Sequence, residues 1–244
     1  MKLALLGHGT MNQLVAARAR DEEHEVALVV TSSTPSADSP TMQGRIDNLT
    51  ILLHGVDVAV DFSVADAVLT NITACAQAGI PLVEGTTGWY GQIDEARKIV
   101  DEHGAALVYG ANFSIGVNLF YCIVERAAEL FQGLDSYAAF IEEAHHARKR
   151  DAPSGTALRL RDVLATHLAH DIPVASTRAG FIPGTHRVGF DSAADQITLT
   201  HIARTREGFA AGALLAAKWI VDQRGVYEFS EALDEILRER MKEQ

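Results

Sequence analysis

The chain has 244 residues, of which 48% are hydrophobic and 22% are charged, a composition typical of a folded protein and not of a disordered one. Its formal net charge of −11 opposes binding to nucleic-acid phosphates and to anionic membrane surfaces, so we expect neither as a partner. Cys75 and Cys122 lie in apolar segments outside any C-x-x-C motif, which argues against a redox pair and against a metal site. We therefore expect a cytoplasmic protein without a bound metal, whose first apolar run is a strand and not a signal peptide.

Strand and helix patterns alternate in the first half of the chain. The predicted strands are Lys2–Leu6, Glu25–Thr31, Asp57–Phe62, Ile80–Glu84 and Ala105–Tyr109. The predicted helices are Thr10–Arg20, Ala65–Ala78 and Tyr90–His103, and residues 34–55 are predicted to form a loop with room for one short strand. This alternation is typical of a parallel sheet with crossover helices, which binds its ligands at the carboxyl ends of the strands.

The pattern changes in the second half, where a mixed α+β arrangement is predicted. The predicted helices there are Ser114–Phe131, Gly155–Ala169, Gly208–Arg224 and Glu228–Lys242, and the predicted strands are Tyr137–His146 and Gln196–Ala203. A stretch with Gly180, Pro183, Gly184 and Gly189 is interpreted as loop. The expected fold class is α/β, with an N-terminal Rossmann dinucleotide-binding domain (residues 1–112 and 217–244) and a C-terminal α+β substrate domain (residues 113–216).

A glycine turn follows the first strand and begins the first helix. It reads Gly7-His8-Gly9-Thr10-Met11-Asn12, and this context is the one in which a G-x-G-x-x-G motif indicates dinucleotide binding. The first two glycines allow a tight turn and a close approach to a pyrophosphate, and the helix start offers free N–H groups. Asn12 replaces the third glycine, which normally lets helix and strand pack closely. Together with the alternating pattern, the turn predicts NADPH or NADH as the cofactor.

Other strand ends refine this prediction. The second strand ends in Thr31-Ser32-Ser33, where an NAD-binding protein usually has a carboxylate for the ribose hydroxyls. Hydroxyl groups can donate to a 2′-phosphate, which slightly favours NADPH, although the same residues are equally typical of an ordinary turn. Phe62 follows the next strand, and Gly85-Thr86-Thr87-Gly88 offers small residues that can lie against a nicotinamide ribose and carboxamide.

A basic segment stands out in this acidic chain. It contains His145, His146, Arg148, Lys149 and Arg150. A run of charges is usually a solvated loop, but this one connects the end of a strand to the start of a helix at Pro153-Ser154-Gly155-Thr156. Neighbouring residues of a strand face opposite ways, so one histidine can be catalytic while the other lines the wall.

The start of that helix predicts an anion site. Ser154 or Thr156 can cap the helix, and the N–H groups of Gly155 and Thr156 are then free to hold a carboxylate. Lys149 can add positive charge or donate a proton. The arrangement suits reduction of a C=C or C=N bond in an acidic substrate, with a histidine as the general acid.

The same segment resembles the substrate signature of the dihydrodipicolinate reductase family. The shared pattern is E-x-A-H-H-x-x-K-x-D-A-P-S-G-T-A, from Glu142 to Ala157. The resemblance extends along nearly the whole chain. Its other parts are the glycine turn, Asp61-Phe62-Ser63, Gly85-Thr86-Thr87-Gly88, Ala111-Asn112-Phe113-Ser114-Ile115-Gly116-Val117-Asn118, Arg178-Ala179-Gly180, Pro183-Gly184 and His186.

The resemblance implies NAD(P)H-dependent reduction of 4-hydroxy-tetrahydrodipicolinate to tetrahydrodipicolinate, in the diaminopimelate route to lysine. It implies a small dicarboxylate substrate and a homotetramer in which the second domain also serves oligomerisation. His145 would be the proton donor and acceptor, Lys149 a second proton donor, and His146 a substrate contact. Gly155 and Thr156 would bind a substrate carboxylate. With the strand ends above, the residues expected at the dinucleotide are Gly7, His8, Gly9, Thr10, Met11, Asn12, Thr31, Ser32, Phe62, Gly85, Thr86, Thr87, Ala111, Asn112, Phe113 and Ser114.

Two other interpretations explain part of the sequence. Another Rossmann-type dehydrogenase of amino-acid metabolism, such as an aspartate dehydrogenase, accounts for the first domain but not for the H-H-x-x-K segment before a capped helix. A nucleotide-sensing regulator with an inactive site is a third reading. The joint presence of His145, Lys149 and Gly155-Thr156 argues against it.

Overall fold

The computed structural model of the chain describes residues 1–31, 42–44 and 48–242, so the predicted cofactor residue Ser32 lies outside the described residues. The chain forms two compact units, one made of Met1–Ile115 together with the chain from Arg206 onward, and the other of Gly116–Thr205. The boundary expected at residue 216 falls inside a helix, Glu207–Ile220, that lies wholly in the first unit. The helix belongs there because it packs on the first unit's sheet and first helix.

A parallel sheet organises the first unit. Its described strands are β1 (Lys2–Leu6), β2 (Glu25–Val30), β3 (Met42–Gly44), β4 (Val58–Asp61), β5 (Leu82–Glu84), β6 (Ala106–Tyr109) and β11 (Gly225–Glu228). They lie in the order β11-β6-β5-β4-β1-β2-β3, and every pairing is parallel. The helices are α1 (Thr10–Asp21), α2 (Leu49–Leu52), α3 (Val68–Ala78), α4 (Ile93–His103), α7 (Glu207–Ile220) and α8 (Phe229–Lys242). The predicted α/β class with a parallel sheet is thus confirmed.

The centre of the sheet is covered on both faces, which explains why β1, β2, β4, β5 and β6 are largely apolar. Leu3 and Leu5 of β1 pack in the cluster that contains buried residues of α1, α7 and α8. Ala4 and Leu6, which point the other way, pack in the cluster with buried residues of α3 and α4. The carboxyl ends of the strands therefore lie at one edge of a rigid two-sided core.

A smaller mixed sheet organises the second unit. Its strands are β7 (Ala138–His145), β8 (Val174–Arg178), β9 (Thr185–Asp191) and β10 (Gln196–Ile202), in the order β10-β9-β7-β8. The pair β7 and β8 is parallel and the other pairs are antiparallel. Two helices, α5 (Ile115–Phe131) and α6 (Gly155–His167), contribute apolar side chains to the same core as β7 and β9. Among the described residues, no helix is both long enough and apolar enough to cross a membrane.

Four elements of the structure were not predicted from the sequence. The stretch interpreted as loop contains β8 and β9, because the glycines and prolines around them hide short strands; inside β9, Gly189 makes room for the Phe140 ring, which a Cβ would approach to 2.2 Å. The four residues of β11, which lie between two helices, were not predicted to form a strand either. The short helix α2 lies within residues 34–55, which were predicted to form a loop. Residues 34–41 and 45–47 of that stretch lie outside the described ones.

Asn12 explains how α1 packs on β1 without the usual third glycine. The residue is 1% exposed, and its Nδ2 donates hydrogen bonds to the carbonyl oxygens of Leu6 at 2.6 Å and of Gly7 at 3.0 Å. These carbonyls end the first strand and begin the glycine turn. A glycine at this residue would only allow the helix to approach the turn. The asparagine side chain also connects the helix to the turn by hydrogen bonds.

We predict that Asn12→Ala lowers the free energy of unfolding by about 1–3 kcal/mol, because it removes the two hydrogen bonds that this side chain donates to the carbonyl oxygens of Leu6 and Gly7. The control is Gln13→Ala, which removes an exposed side chain with a long 3.4 Å contact to the His8 carbonyl. Urea unfolding of both variants measures the difference. Equal stability of the two variants would contradict the role given to Asn12.

Candidate active site

The glycine turn of the first unit has the geometry of a phosphate cradle. Gly7 has a φ of +96°, and a Cβ there would lie 2.9 Å from the Phe62 carbonyl oxygen, so the turn can approach the end of β4 only as glycine. Gly9 begins α1 without a side-chain cap, and a Cβ at that residue would meet open space. The first N–H groups of α1 are therefore available to an anion, as a dinucleotide pyrophosphate requires.

Two loops at the ends of β4 and β5 are held together beside this turn. The Ser63 N–H donates to Thr86 Oγ1 at 3.2 Å, and the Gly85 N–H donates to the Asp61 carbonyl at 2.9 Å. The Phe62 ring covers Gly85 so closely that a Cβ on Gly85 would approach it to 2.1 Å. The two loops thus form one continuous surface at the edge of the sheet.

A third loop, after β6, approaches the same surface. The Phe113 ring meets the Phe62 ring edge to face, with centroids 6.0 Å apart. Asn112 Oδ1 accepts a hydrogen bond from the Ser114 N–H at 2.9 Å, which shapes the loop, and Ala111 is exposed. The structure therefore brings the residues predicted after β1, β4, β5 and β6 to one edge of the sheet.

The other predicted cofactor residues of the first unit lie in the glycine turn, directly after β2 and after β5. Thr31 is half-buried directly after β2. His8, Thr10 and Thr87 are exposed, and Met11 is half-buried. The uncapped helix start and the close approach at Gly7 fit a bound dinucleotide.

A buried carboxylate organises the candidate site of the second unit. The side chain of Glu143 has no exposed surface. Arg178 donates to both of its oxygens, at 2.7 Å and 2.9 Å, and His145 Nδ1 lies 2.5 Å from Oε2. The Ser154 N–H completes the set at 3.3 Å from Oε1. Donors from β7, from β8 and from the start of α6 thus meet at a single carboxylate.

Strand register explains this meeting. Glu143 and His145 are two residues apart on β7, so their side chains share a face. The parallel pairing aligns Arg178 of β8 with His145, and the antiparallel pairing aligns His186 of β9 with Glu143. Four polar side chains from three strands are therefore collected on the inner face by backbone geometry alone.

The charges of this cluster follow from its contacts. Burial acts to raise the pKa of Glu143, but hydrogen bonds from Arg178, Ser176 and His145 outweigh it and lower that pKa to about 2. The carboxylate is therefore ionised and accepts a hydrogen bond from the Nδ1–H of His145, which leaves Nε2 as the ring nitrogen that can gain or lose a proton. Burial lowers the pKa of His145, while the Glu143 charge counteracts this.

His186 connects the cluster to the start of α6. Its Nε2 lies 3.1 Å from Ser154 Oγ, and its ring meets the His145 ring edge to face at 5.1 Å. Burial and the charge of His145 lower the pKa of His186 to about 4, so it is neutral at neutral pH. Ser154 Oγ also accepts the Ala157 N–H at 3.2 Å and so caps α6.

The residues predicted to hold the substrate surround this cluster. The cap at Ser154 serves the third N–H of α6, so the N–H groups of Gly155 and Thr156 have no partner within the helix. A Cβ on Gly155 would meet nothing within 4 Å, which leaves that helix start accessible. His146 is half-buried next to His145 at the end of β7.

Lys149 is held in the turn between β7 and α6. Its Nζ lies 2.9 Å from Asp151 Oδ2, and its own N–H donates to the His146 carbonyl. The hydrogen bond from Lys149 lowers the pKa of Asp151. Arg178 also donates to the Asp151 carbonyl, at 2.5 Å, so the same guanidinium fixes both the carboxylate and the basic turn.

Glu143, His145 and His186 also have the composition of a metal site, since one ligand atom from each lies within 4.8 Å of the others. The Arg178 guanidinium already occupies both Glu143 oxygens, and its fixed positive charge opposes a cation at the same carboxylate. The donors present therefore fit a hydrogen-bonded network better than a metal centre.

The sequence analysis assigned no role to Glu143, Arg178 or His186. A signal for Glu143 was available, because a carboxylate two residues before a histidine on a strand shares its face. Arg178 and His186 entered only as parts of the family resemblance, and no spacing links them to His145, since they lie on the two strands that the glycines and prolines concealed.

Comparisons with known proteins identify the family of the chain. The family models described as "Dihydrodipicolinate reductase, N-terminus" and "Dihydrodipicolinate reductase, C-terminus" match residues 1–113 and 116–233. The protein named 4-hydroxy-tetrahydrodipicolinate reductase from Christiangramia forsetii is 34% identical over 98% of this chain and 100% of its own length. The protein of the same name from Archaeoglobus fulgidus is 33% identical over 96% of this chain and 100% of its own.

A solved structure shows the likeness of the fold. It is the dipicolinate-bound dihydrodipicolinate reductase from Paenisporosarcina sp. TG-14, with a TM-score of 0.80 and 21% identity, covering 93% of this chain and 97% of that one. The family models together match nearly the whole chain, and the two relatives match it almost end to end. The chain belongs to the dihydrodipicolinate reductase family.

Proposed function

We propose that this protein reduces 4-hydroxy-tetrahydrodipicolinate to tetrahydrodipicolinate with NAD(P)H, as a step of diaminopimelate and lysine biosynthesis. The names of its relatives and the dipicolinate bound to a structural neighbour support this substrate class. The observation that carries the proposal is the buried Glu143 carboxylate, which Arg178 keeps ionised and which orients His145 beside the open start of α6. Replacement of the 4-hydroxyl by hydrogen consumes a hydride and a proton and releases water.

His145 is the proton donor and acceptor in this proposal. Its Nδ1 is engaged with Glu143, so proton transfer takes place at Nε2. A Cβ on Gly184 would lie 3.2 Å from that Nε2, so the glycine keeps the reactive nitrogen accessible. Burial holds the pKa of the free imidazole below its ordinary value, and a bound dianion raises it again by stabilising the imidazolium.

In this proposal, the residues around the start of α6 bind the substrate. The N–H groups of Gly155 and Thr156 hold one carboxylate, helped by the positive end of the helix dipole. Lys149 supplies positive charge and a second proton, and His146 contacts the substrate. Asp151, which pairs with Lys149 in the free protein, gives up this partner when a dianion binds.

The cofactor is assigned to the first unit. The chemistry that a reduced nicotinamide dinucleotide supplies when bound is hydride donation. The turn from Gly7 to Asn12 holds its pyrophosphate, and the residues Thr31, Ser32, Phe62, Gly85, Thr86, Thr87, Ala111, Asn112, Phe113 and Ser114 hold the remainder. NADPH is slightly favoured over NADH, because Thr31 and Ser32 stand where a carboxylate would repel a 2′-phosphate. We further propose a homotetramer in the cytoplasm.

The direct test is oxidation of NADPH and NADH, followed by absorbance, with the cyclic condensation product of aspartate semialdehyde and pyruvate as substrate. We expect substrate-dependent turnover with both dinucleotides and a higher kcat/KM with NADPH. Dipicolinate should inhibit in competition with the substrate. Tight binding of the dinucleotide without any turnover would refute the proposed reaction.

We predict that His145→Ala and Lys149→Ala each lower kcat about 10²–10⁴-fold, the usual contribution of a general acid. The dissociation constant of the dinucleotide, measured by its fluorescence, should stay near the wild-type value. Arg150→Ala is the matched control, since Arg150 is exposed in the same turn. A loss of dinucleotide affinity with kcat retained would show that the basic turn serves the cofactor instead.

Glu143→Gln should lower the free energy of unfolding at neutral pH by about 3–5 kcal/mol, because it leaves the Arg178 guanidinium buried without its counter-charge. The folded-state pKa of Glu143 is depressed to about 2, so the advantage of the wild type over the variant is present above the ordinary carboxyl pKa and is lost as pH falls toward 2. Glu142→Gln is the control, since the pair of Glu142 with Arg187 is 44% and 43% exposed and should contribute at most about 1 kcal/mol. Urea unfolding across this acidic range measures both. A difference between wild type and Glu143→Gln that does not change with pH would contradict the prediction.

A further inference from the structure

Two carboxyl groups that the proposed reaction does not use lie side by side inside the first unit. Asp61 ends β4, Glu84 ends β5, and the parallel register aligns the two residues directly. Both residues are 0% exposed, and their carboxyl groups are within hydrogen-bonding reach of one another. Among the described residues, no arginine or lysine forms an ion pair with either of them.

The hydrogen bonds of the two groups are unequal. Asp61 accepts the Ser63 N–H on Oδ1 at 2.8 Å and the Asn71 side-chain N–H on Oδ2 at 2.6 Å, so both of its oxygens act as acceptors. Glu84 accepts the Thr86 N–H on Oε1 at 2.7 Å. Its Oε2 is buried and accepts no hydrogen bond from the described residues. A contact between two carboxyl oxygens is favourable only when one of them carries a proton, and Glu84 Oε2 is the carboxyl oxygen of the pair that no donor engages.

The described residues around the pair include no cation that forms an ion pair with it and could neutralise two negative charges. Cys75 of α3 and Tyr90 of the turn before α4 face the pair, and burial together with the carboxylate charge raises the pKa of both groups, so both stay neutral. Tyr109 of β6 lies beside Tyr90. Burial raises the pKa of Asp61 and raises that of Glu84 further, to which the charge of Asp61 adds. Two adjacent ionised carboxylates in this interior would be strongly unfavourable.

We propose that Glu84 retains a proton at neutral pH and donates it to the ionised Asp61, and that this shared-proton pair positions the two loops assigned to the nicotinamide end of the dinucleotide. Asp61 holds the Ser63 N–H of the first loop, and Glu84 holds the Thr86 N–H of the second. The Ser63 N–H also donates to Thr86 Oγ1, so the loops and the pair form one closed set of hydrogen bonds. The ligand of the loops rests on the proposed function, but the shared proton does not.

Ionisation of Glu84 should open this set. As pH rises through the pKa of the folded pair, the proton is lost, the two carboxylates repel and the loops separate. The folded state binds a proton that the unfolded chain releases at the ordinary carboxyl pKa, so stability is complete below that pKa and falls as pH rises toward the folded value. Dinucleotide affinity should fall over the alkaline part of the same range.

Glu84→Gln tests this directly, since an amide reproduces the neutral acid with an acceptor toward Thr86 and a donor toward Asp61. Asp61→Asn should have the opposite effect, because its N–H₂ group faces N–H donors whose hydrogen bonds Asp61 accepts in the wild type. Glu102→Gln changes an exposed carboxylate of α4 and is the control. Three measurements are made on each protein: the infrared C=O band of a protonated carboxyl at neutral pH, the melting temperature, and the dissociation constant of NADPH from about pH 6.5 to about pH 9.5.

We expect the infrared band in the wild type and in Glu102→Gln and its absence in Glu84→Gln. The dissociation constant of NADPH from the wild type should rise about tenfold over this range, which corresponds to a pKa of Glu84 that is one unit higher when NADPH is bound. The dissociation constant of NADPH from Glu84→Gln should not change with pH. The melting temperature of Glu84→Gln should gain on the wild type as pH rises, while Asp61→Asn should melt lower throughout. Absence of the band from the wild type would overturn the shared proton. A band with identical pH dependence of NADPH binding in wild type and Glu84→Gln would overturn the positioning role, and failure of turnover alone would bear only on the proposed reaction.

Discussion

A carboxylate removed from water must be neutralised where it lies, and the Arg178 guanidinium does this for Glu143. The geometry of the second unit's site follows from that pair. Because the carboxylate stays ionised, it fixes which nitrogen of His145 carries a proton; because it also accepts the Ser154 N–H, it fixes where α6 begins. The same guanidinium reaches the Asp151 carbonyl and so restrains the basic turn. One ion pair thus aligns His145, the start of α6 and the turn that holds Lys149, the three parts to which proton transfer and substrate binding are assigned in the proposed function.

The first unit meets the same constraint by a different route. In the part of the chain that the structure describes, no guanidinium pairs with the adjacent Asp61 and Glu84, and the proposed shared proton removes one of their two charges. A fixed cation keeps its carboxylate ionised over nearly the whole pH range, whereas a shared proton is lost when the solution becomes alkaline enough. The charge of the carboxylate that orients His145 is therefore insensitive to pH outside the acidic range, while the loops assigned to the cofactor are sensitive to alkaline pH.

Much of the fold could be predicted because its signals are local. The central strands of the first unit are buried on both faces, so they appear in the sequence as largely apolar runs. The exceptions are β8, β9 and β11, which are short or interrupted and depend on their neighbours in the sheet. β8 is mostly exposed, so its sequence has neither an apolar run nor a clear alternation. Such strands form because they pair in register with neighbouring strands. A pattern within one segment of the sequence does not contain that information.

The candidate site divides along the same line. The turn from Gly7 to Asn12 and the segment from His145 to Thr156 are continuous in sequence, so their residue types and spacing could be interpreted directly. Arg178 and His186 reach the site across strand pairings, from 33 and 41 residues beyond His145, and no local pattern links them to it. Asn12 shows the reverse case, because a residue that weakens a sequence motif strengthens the structure by donating to Leu6 and Gly7. Motifs of this kind record where backbone must approach closely, and a side chain that supplies the missing hydrogen bonds can satisfy the same requirement as a glycine.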